Sequence, residues 1–492
     1  MLRREMARMR PDFVAVLLIA CGLLVFVPNL TGYFLADDFV LLSWTRVSSL
    51  NDVVGFFDPN VEWFYRPIVK VIYWAGQSVF GLRAAPFHLV SLLLHGLNAY
   101  LIYRLVVGSG ACSRAWVVGL AAGLLFLLNS HHAETVSWVA AIGDLGGLFC
   151  ILAALLLFRR FRSSGRPLLL AGSVGVFALG LLTRETVVVL PLLLAVDALI
   201  FGRVLAGKDR GTGIGRLVLA FSAYVVFLFS YFILQLAGRG SVGRGGLQFR
   251  VLNFDSILLG IFDYVHGLIP GGRTLATLSL DTLRTVVLVE ALAVVALLGL
   301  LLWQRQRLAL FGLVWMIATP LLFVFFTGPT DRYFYLPSVG YALFAAGLVS
   351  WLVGFLSSSR EQNGRIARAV GALVLAAMLL TQARDLVVKE SAWHAAGKVS
   401  GGVYNDVKRL VPNAGERDIF YFLKLPPFMD GVPVFQNALP QAVQLIYDNP
   451  TLFTVTPSEC GELQGAPNTV QKYFFTFKGD GVRKFAGEID CP

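Results

Sequence analysis

Apolar runs of membrane-spanning length alternate with short arginine-bearing stretches along most of the chain. A helix needs about 20 mostly apolar residues to cross the hydrocarbon core of a bilayer. The first run extends from Phe13 to Val27; Pro28-Asn29 follows, and there is no small-x-small site of a cleaved leader. Further spans are predicted at Pro86–Val107, Trp116–Leu128, Val136–Phe158, Leu168–Leu182, Val187–Phe201, Leu217–Leu236, Val286–Trp303, Leu308–Phe326, Tyr335–Phe355 and Ala369–Leu380. The total is about eleven spans. Ile257–Ile269 is apolar but too short to cross, and Asp263 and His266 interrupt it, as in a re-entrant or interfacial helix.

The basic loops set the expected orientation. Arg3, Arg4, Arg8 and Arg10 precede the first span and place the N-terminus in the cytoplasm. The clusters Arg159-Arg160-Arg162-Arg166, Arg203-Lys208-Arg210-Arg216, Arg305-Arg307 and Arg360-Arg365-Arg368 then fall on that same side. Arg239, Arg244 and Arg250, in a glycine-rich loop, fall on the other. Residues 30–85 become a long first extracytoplasmic loop. From Gln382 the composition turns polar and proline-bearing, with β-like runs at Ile419–Leu423 and Tyr473–Phe477. The chain therefore divides into a transmembrane part, 1–381, and a C-terminal extracytoplasmic soluble domain, 382–492. The expected fold class is an all-α polytopic membrane protein with a small C-terminal α/β domain.

Composition agrees with the pattern. Of 492 residues, 57% are hydrophobic and 14% charged, and the mean hydropathy is +0.71, too apolar for a water-exposed exterior. The net charge of +11 resides between spans, where it orients the protein, and no aromatic-basic repeat suggests nucleic acid. The five cysteines have no metal-type spacing; Cys460 and Cys491 can pair if their segment faces an oxidising compartment.

The candidate chemistry gathers on the predicted outer face. Asp37-Asp38 follows the first span; adjacent carboxylates repel, and one pKa can rise toward a general-base value. Arg66, in Glu62-Trp63-Phe64-Tyr65-Arg66-Pro67, can clamp a phosphate or anchor the loop. Asn129-Ser130-His131-His132-Ala133-Glu134 ends the third span, and His132 and Glu134 can share a divalent metal or orient a substrate. Asp144 lies in an apolar helix and needs a partner. Thr183-Arg184-Glu185 is either a local ion pair or an arginine offered to a lipid phosphate. Arg332 and Tyr335, in Asp331-Arg332-Tyr333-Phe334-Tyr335-Leu336-Pro337-Ser338, sit at headgroup depth. His88 and His95, seven apart on one face of the second span, suit helix packing.

In order, Tyr33–Asp38, Tyr65-Arg66-Pro67, Pro86–Ala99, His131–Val139, Thr183-Arg184-Glu185 and Asp331–Ser338 resemble the motifs of GT-C class membrane glycosyltransferases. The similarity is to the protein O-mannosyltransferase and tetratricopeptide-containing O-mannosyltransferase-like group and extends to about Gly354. His131 stands where the pattern has proline, Ala141-Ile142-Gly143-Asp144 lacks its arginine, and the C-terminal segment is no tetratricopeptide array. That segment looks more like the small outer domain of bacterial polyprenyl-phosphate-dependent relatives.

The resemblance implies inverting transfer of a hexose, possible mannose included, from a polyprenyl-phosphate donor to a hydroxyl of a protein, lipid or glycan acceptor. Asp37 or Asp38 would be the catalytic base, Asp37 by analogy with the first acidic residue of the family pair. Arg184, Arg332 and Arg66 would meet the lipid phosphate, with Glu134, His132 and Tyr335 lining the pocket. No cofactor is implied with certainty. The setting is a prokaryotic plasma membrane, with membrane lipids as further partners. A lipid-linked-sugar transporter or flippase, or a membrane scaffold, are the competing readings; two related halves would mark a transporter, and no such symmetry is visible.

Overall fold

The computed structural model describes residues 11–60, 65–112, 114–202, 210–238, 254–269, 280–324, 330–357, 361–456 and 470–484. Helix α1 (Pro11–Phe26) ends where Pro28 cannot continue the ladder, and Val27–Thr31 tightens into a 3-10 turn. Two short helices follow, α2 (Asp37–Trp44) and α3 (Leu50–Gly55), the second started by a capping box between Ser49 and Asp52. Then come α4 (Pro67–Phe80), α5 (Ala84–Val107), α6 (Ala115–Leu127), α7 (His132–Ser137) and α8 (Ile142–Ser164). The bundle continues through α9 (Pro167–Leu181), α10 (Leu190–Phe201), α11 (Arg210–Gly238), α12 (Phe254–Leu268) and α13 (Leu280–Trp303). It closes with α14 (Arg307–Ala318), α15 (Leu321–Val324), α16 (Pro337–Leu356) and α17 (Glu361–Leu410).

Among the described residues eight helices are long and apolar enough to cross a membrane, and Ala115–Leu127, Pro167–Leu181 and Ile257–Leu268 are shorter apolar helices. The protein is an integral, multi-pass membrane protein. Its central helices differ from its outer ones: α8 is mostly buried, whereas Leu217–Gln235 and Thr282–Trp303 turn most of their apolar side chains outward, as lipid-facing helices do.

Several predicted spans are broken where the backbone demands it. The span expected from Val136 starts instead at Ile142, because Trp138 is extended and separates α7 from α8. The span expected over Val187–Phe201 divides into a 3-10 turn, Glu185–Val189, and α10, whose first turn carries Pro191. Pro320 likewise separates α14 from α15 within Leu308–Phe326. The basic cluster after α8 does more than orient the chain: Arg159 and Arg162 donate to the buried Asp197 of α10 at 2.8 and 3.0 Å.

The last predicted span, Ala369–Leu380, is the inner part of α17, a helix of 50 residues. At 1.5 Å per residue it is about 75 Å long, against about 30 Å of hydrocarbon. The compositional change at Gln382 falls inside this helix rather than at its end. Beyond it lies a four-stranded sheet of order β4-β1-β5-β6, formed by β1 (Ile419–Leu423), β4 (Phe453–Val455), β5 (Lys472–Lys478) and β6 (Gly481–Lys484). A small hairpin, β2 (Phe428–Met429) with β3 (Val432–Pro433), precedes α18 (Leu439–Tyr447). β1 runs parallel to β4 and β5, and β5 antiparallel to β6; the parallel β1–β4 pair needs the crossover that α18 supplies. Stacked Phe420 and Phe475 fill the sheet's inner face. The Tyr447 hydroxyl donates to the carbonyls of Val407 and Val411, fastening α18 to the end of α17.

A candidate active site around Asp37

The chain between α1 and α2 makes one sharp turn. Ala36 has φ 42° and ψ −116°, a left-handed conformation that costs a residue with a side chain about 1–3 kcal/mol. Its surroundings over-determine it. Ala36 N–H donates to Val434 O at 2.8 Å, Ser400 Oγ to Phe34 O at 2.6 Å and Trp138 Nε1 to Leu35 O at 3.2 Å. The turn delivers Asp37 and Asp38 to the first turn of α2, where a helix dipole favours negative charge.

The two carboxylates then part company. Asp38 is 1% exposed; its Oδ2 accepts from Leu35 N–H and its Oδ1 from the Tyr73 hydroxyl, both at 2.9 Å. Burial pushes its pKa up to about 7 against the pull of those donors. Asp37 is exposed. The walls around it still lift its carboxyl above the ordinary range, while Arg332 and then Arg66 draw it back. One carboxylate is therefore built into the frame, and the other faces out under the influence of two guanidinium groups.

Three ion pairs surround this point. Arg66, at the start of α4, grips Glu185 with two donors, Nε to Oε2 at 2.9 Å and a terminal nitrogen to Oε1 at 2.5 Å. Arg184, 4% exposed, places Nε 3.0 Å from Oδ1 of Asp144 on α8. The turn carrying Arg184 can lie this close to α8 because Gly147 has no side chain: a Cβ there would meet Arg184 Cβ at 3.0 Å. Arg332 donates its backbone N–H to Glu134 Oε2 at 3.1 Å, and its guanidinium lies over the rings of Trp138 and Tyr333, 5.3 and 5.0 Å from their centroids. Burial opposes the ionisation of Glu185, but Arg66 and Arg184 hold its carboxyl well below the usual range. Burial raises Glu134, with Arg332 opposing. The three arginines and Asp144 act on one another electrostatically, so the pairs form one charged cluster.

A second polar group braces its edge. His131 Nδ1 lies 2.7 Å from Asp331 Oδ1, Lys389 Nζ of α17 lies 2.6 Å from Asp331 Oδ2, and His131 Nε2 lies 2.9 Å from Gly267 O of α12. Burial opposes the charge on Asp331, but His131 and Lys389 keep its carboxyl low. Deeper in, Ser137 bridges Asn29 and Glu390 at 2.7 and 2.6 Å.

The structure thus gathers Asp37, Arg66, Glu134, Arg184 and Arg332, with Asp144, and sets Asp38 behind them. It does not bring His132 and Tyr335 to the same place. His132 is fully buried with Nε2 2.9 Å from Ser338 Oγ, and Tyr335 is 1% exposed, its hydroxyl engaged by His95 and Asn98 at 3.0 and 3.1 Å. Both belong to the packing between α5, α7 and α16, which corrects the expectation that they line the pocket. Nor do His132 and Glu134 fit a shared metal ion, since each is committed to a different partner. Among the described residues no group of three His, Cys, Asp or Glu side chains is arranged to hold one. His88 and His95 are buried packing groups of α5, as their spacing suggests. Tyr73, Lys389, Ser400 and Val434 were not singled out by sequence; a tyrosine on an amphipathic helix and a lone serine carry no such signal. Glu62, Trp63, Phe64, Arg239, Arg244, Arg250, Cys460 and Cys491 lie outside the described residues.

No family model matches the chain. Two curated relatives are similar in part. Protein O-mannosyl-transferase Tmtc2 of Drosophila melanogaster is 30% identical over 208 residues, 38% of this chain and 22% of that protein. Tmtc1 of the same organism is 31% identical over 112 residues, 22% of this chain and 13% of that protein. The matched stretches therefore span less than a quarter of either relative. Among solved structures, ArnT from Cupriavidus metallidurans bound to undecaprenyl phosphate aligns with a TM-score of 0.51 at 15% identity, over 94% of this chain and 92% of ArnT. The Archaeoglobus fulgidus oligosaccharyltransferase in its apo form aligns with a TM-score of 0.51 at 13% identity, over 91% of this chain and 64% of that enzyme. The chain therefore shares the fold of these two structures, and part of its sequence is similar to the Tmtc O-mannosyl-transferases.

Proposed function

We propose that this protein is a membrane glycosyltransferase that moves a hexose from a polyprenyl-phosphate donor to an acceptor hydroxyl on the extracytoplasmic side, with inversion. The observation that carries this reading is the exposed Asp37 carboxylate under the influence of Arg332 and Arg66, which belong to one charged cluster with Arg184 and their acidic partners. The Tmtc relatives named for mannosyl transfer and the undecaprenyl phosphate held by ArnT support the same reaction class.

In the proposed step Asp37 accepts the proton of the acceptor hydroxyl as its oxygen attacks the anomeric carbon. The new glycosidic bond forms as the bond from that carbon to the phosphate oxygen breaks, and the polyprenyl phosphate departs with the electron pair. Arg332 and Arg184 meet the charge that develops on the leaving phosphate. Each is already oriented by a carboxylate, so little reorganisation is needed when the donor arrives. Arg66 stays clamped by Glu185 and acts mainly by fixing α4 against the Arg184 turn and by its field on Asp37. We assign the N-terminus to the cytoplasm and the sheet-bearing C-terminal part to the outer side, as the arginine distribution predicts, and the setting to a prokaryotic plasma membrane from the type of outer domain. The acceptor is a hydroxyl of a protein, lipid or glycan.

The test is transfer by the purified full chain from polyprenyl-phosphate mannose, and from the glucose analogue, to acceptors extracted from the native envelope. Accumulation of one polyprenyl-phosphate sugar in cells lacking the gene would name the donor. Absence of transfer from every donor, with donor movement across proteoliposomes, would replace the enzyme with a transporter.

A further inference from the structure

The turn that presents Asp37 is held largely from the far end of the chain. Along residues 32–36 the backbone is stitched to the outer part of α17 and to the loop after β3. Tyr33 N–H donates to Gly397 O at 3.2 Å, Ser400 Oγ donates to Phe34 O at 2.6 Å, and Ala36 N–H donates to Val434 O at 2.8 Å. These donors and acceptors are more than 360 positions from their partners, and Ser400 is fully buried. The contact is also one of shape. Gly397 passes the turn so closely that a Cβ on it would meet Gly32 Cα and Tyr33 N at 3.2 Å, and one on Gly401 would meet Tyr33 Cβ at 3.1 Å. Aromatic pairs close both flanks: Tyr33 with Tyr404 at 4.8 Å and Phe39 stacked on Phe435 at 5.6 Å. Just past the end of α2, Arg46 pairs with Asp448 at 2.9 Å.

We propose that Gly397 and Ser400, with the Val434 carbonyl, are positioning residues that hold the strained Ala36 turn and so aim Asp37 at the acceptor hydroxyl. This inference rests on Asp37 being the base. The alternative, that these contacts only dock the sheet onto the membrane part, would need no particular conformation at Ala36. A left-handed alanine relaxes once its partners are removed, and the residue that follows it moves. An ångström of misplacement between reacting groups is enough to cost a large factor in rate.

The experiment uses the full chain in lipid nanodiscs with polyprenyl-phosphate mannose as donor. Ser400→Ala and Gly397→Ala are each compared with the parent by transfer kinetics, and by hydrogen–deuterium exchange of the peptide over 30–42. The expected result is a kcat about 10- to 100-fold lower with donor KM unchanged, faster exchange at Leu35 and Ala36, and restoration of both by Ser400→Thr. The acid limb of the pH–rate profile is expected to shift as the Asp37 surroundings change. Normal kcat in both variants, or a lowered kcat with unaltered exchange over 30–42, would overturn the proposal. If one variant fails to fold, the other tests the same turn through a different contact. Asp37→Asn separates the two readings: retained transfer removes the base, whereas the exchange data decide independently whether Ser400 and Gly397 hold the turn.

Discussion

The Tyr73 hydroxyl donates to the Asp38 carboxylate at 2.9 Å inside the protein, joining α4 to the first turn of α2. Neither residue reaches solvent. Tyr73→Phe removes the donor and leaves a buried carboxylate oxygen unpaired, at an expected loss of about 1–3 kcal/mol. The thermal midpoint of the purified protein should fall accordingly. An unchanged midpoint would mean that the Asp38 frame is dispensable.

The contrast between the two aspartates separates stability from rate. Asp37→Asn should lower kcat by about 10²- to 10⁴-fold and leave the melting temperature near that of the parent. Asp38→Asn should do the reverse in emphasis, because Asn keeps one acceptor oxygen and its amide nitrogen cannot accept the second of the bonds that Leu35 and Tyr73 now donate. Kinetics and calorimetry on the two variants read this directly.

The pH dependence has a definite sign. A base must be ionised, and the protein walls around Asp37 raise its pKa in the folded chain. Activity should therefore be full above that raised pKa and fall as the pH drops through it. The acid limb should lie above pH 4, the region of an ordinary aspartate. Removing the guanidinium at Arg332 removes the largest lowering influence and should move the limb to still higher pH. A limb that stays in place in Arg332→Gln would detach Asp37 from it.

The Arg184–Asp144 pair is buried, so breaking it from one side strands a charge. Arg184→Met or Asp144→Leu alone should cost about 3–5 kcal/mol. The double variant should recover most of that stability without recovering donor use. Recovery of both would make the pair purely structural.

Arg332 lies over two aromatic rings, which a planar guanidinium can stack on face to face and a compact, strongly hydrated ammonium cannot. Arg332→Lys keeps the charge yet should raise donor KM about tenfold, a change of about 1.4 kcal/mol. Equal KM values would show that charge alone suffices.

Much of this arrangement was legible in the sequence. Apolar runs located the membrane helices because lipid demands them, and the β-like run at Ile419–Leu423 is strand β1. Asp37, Arg66, Glu134, Arg184 and Arg332 were visible because charge near a membrane boundary is conspicuous. What was not legible was partnership. Glu185 reads as the local partner of Arg184, yet it is Arg66, 119 positions away, that it binds with both oxygens. His132 and Tyr335 looked like site residues because polar groups in apolar surroundings attract notice, but they satisfy other polar groups buried with them. The extent of α17 was hidden as well: a change from apolar to polar composition does not mark where a helix stops.

That unbroken helix is a lever. Its N-terminal portion is apolar enough to cross a bilayer, and its C-terminal portion carries the contacts at Gly397 and Ser400. For a rigid rod of about 75 Å, a change in tilt of about 5° offsets one end relative to the other by about 6–7 Å. Hydrophobic mismatch tilts helices by more than this. Membrane thickness is then expected to reach the Ala36 turn mechanically, and transfer rates measured in bilayers of longer and shorter acyl chains should differ.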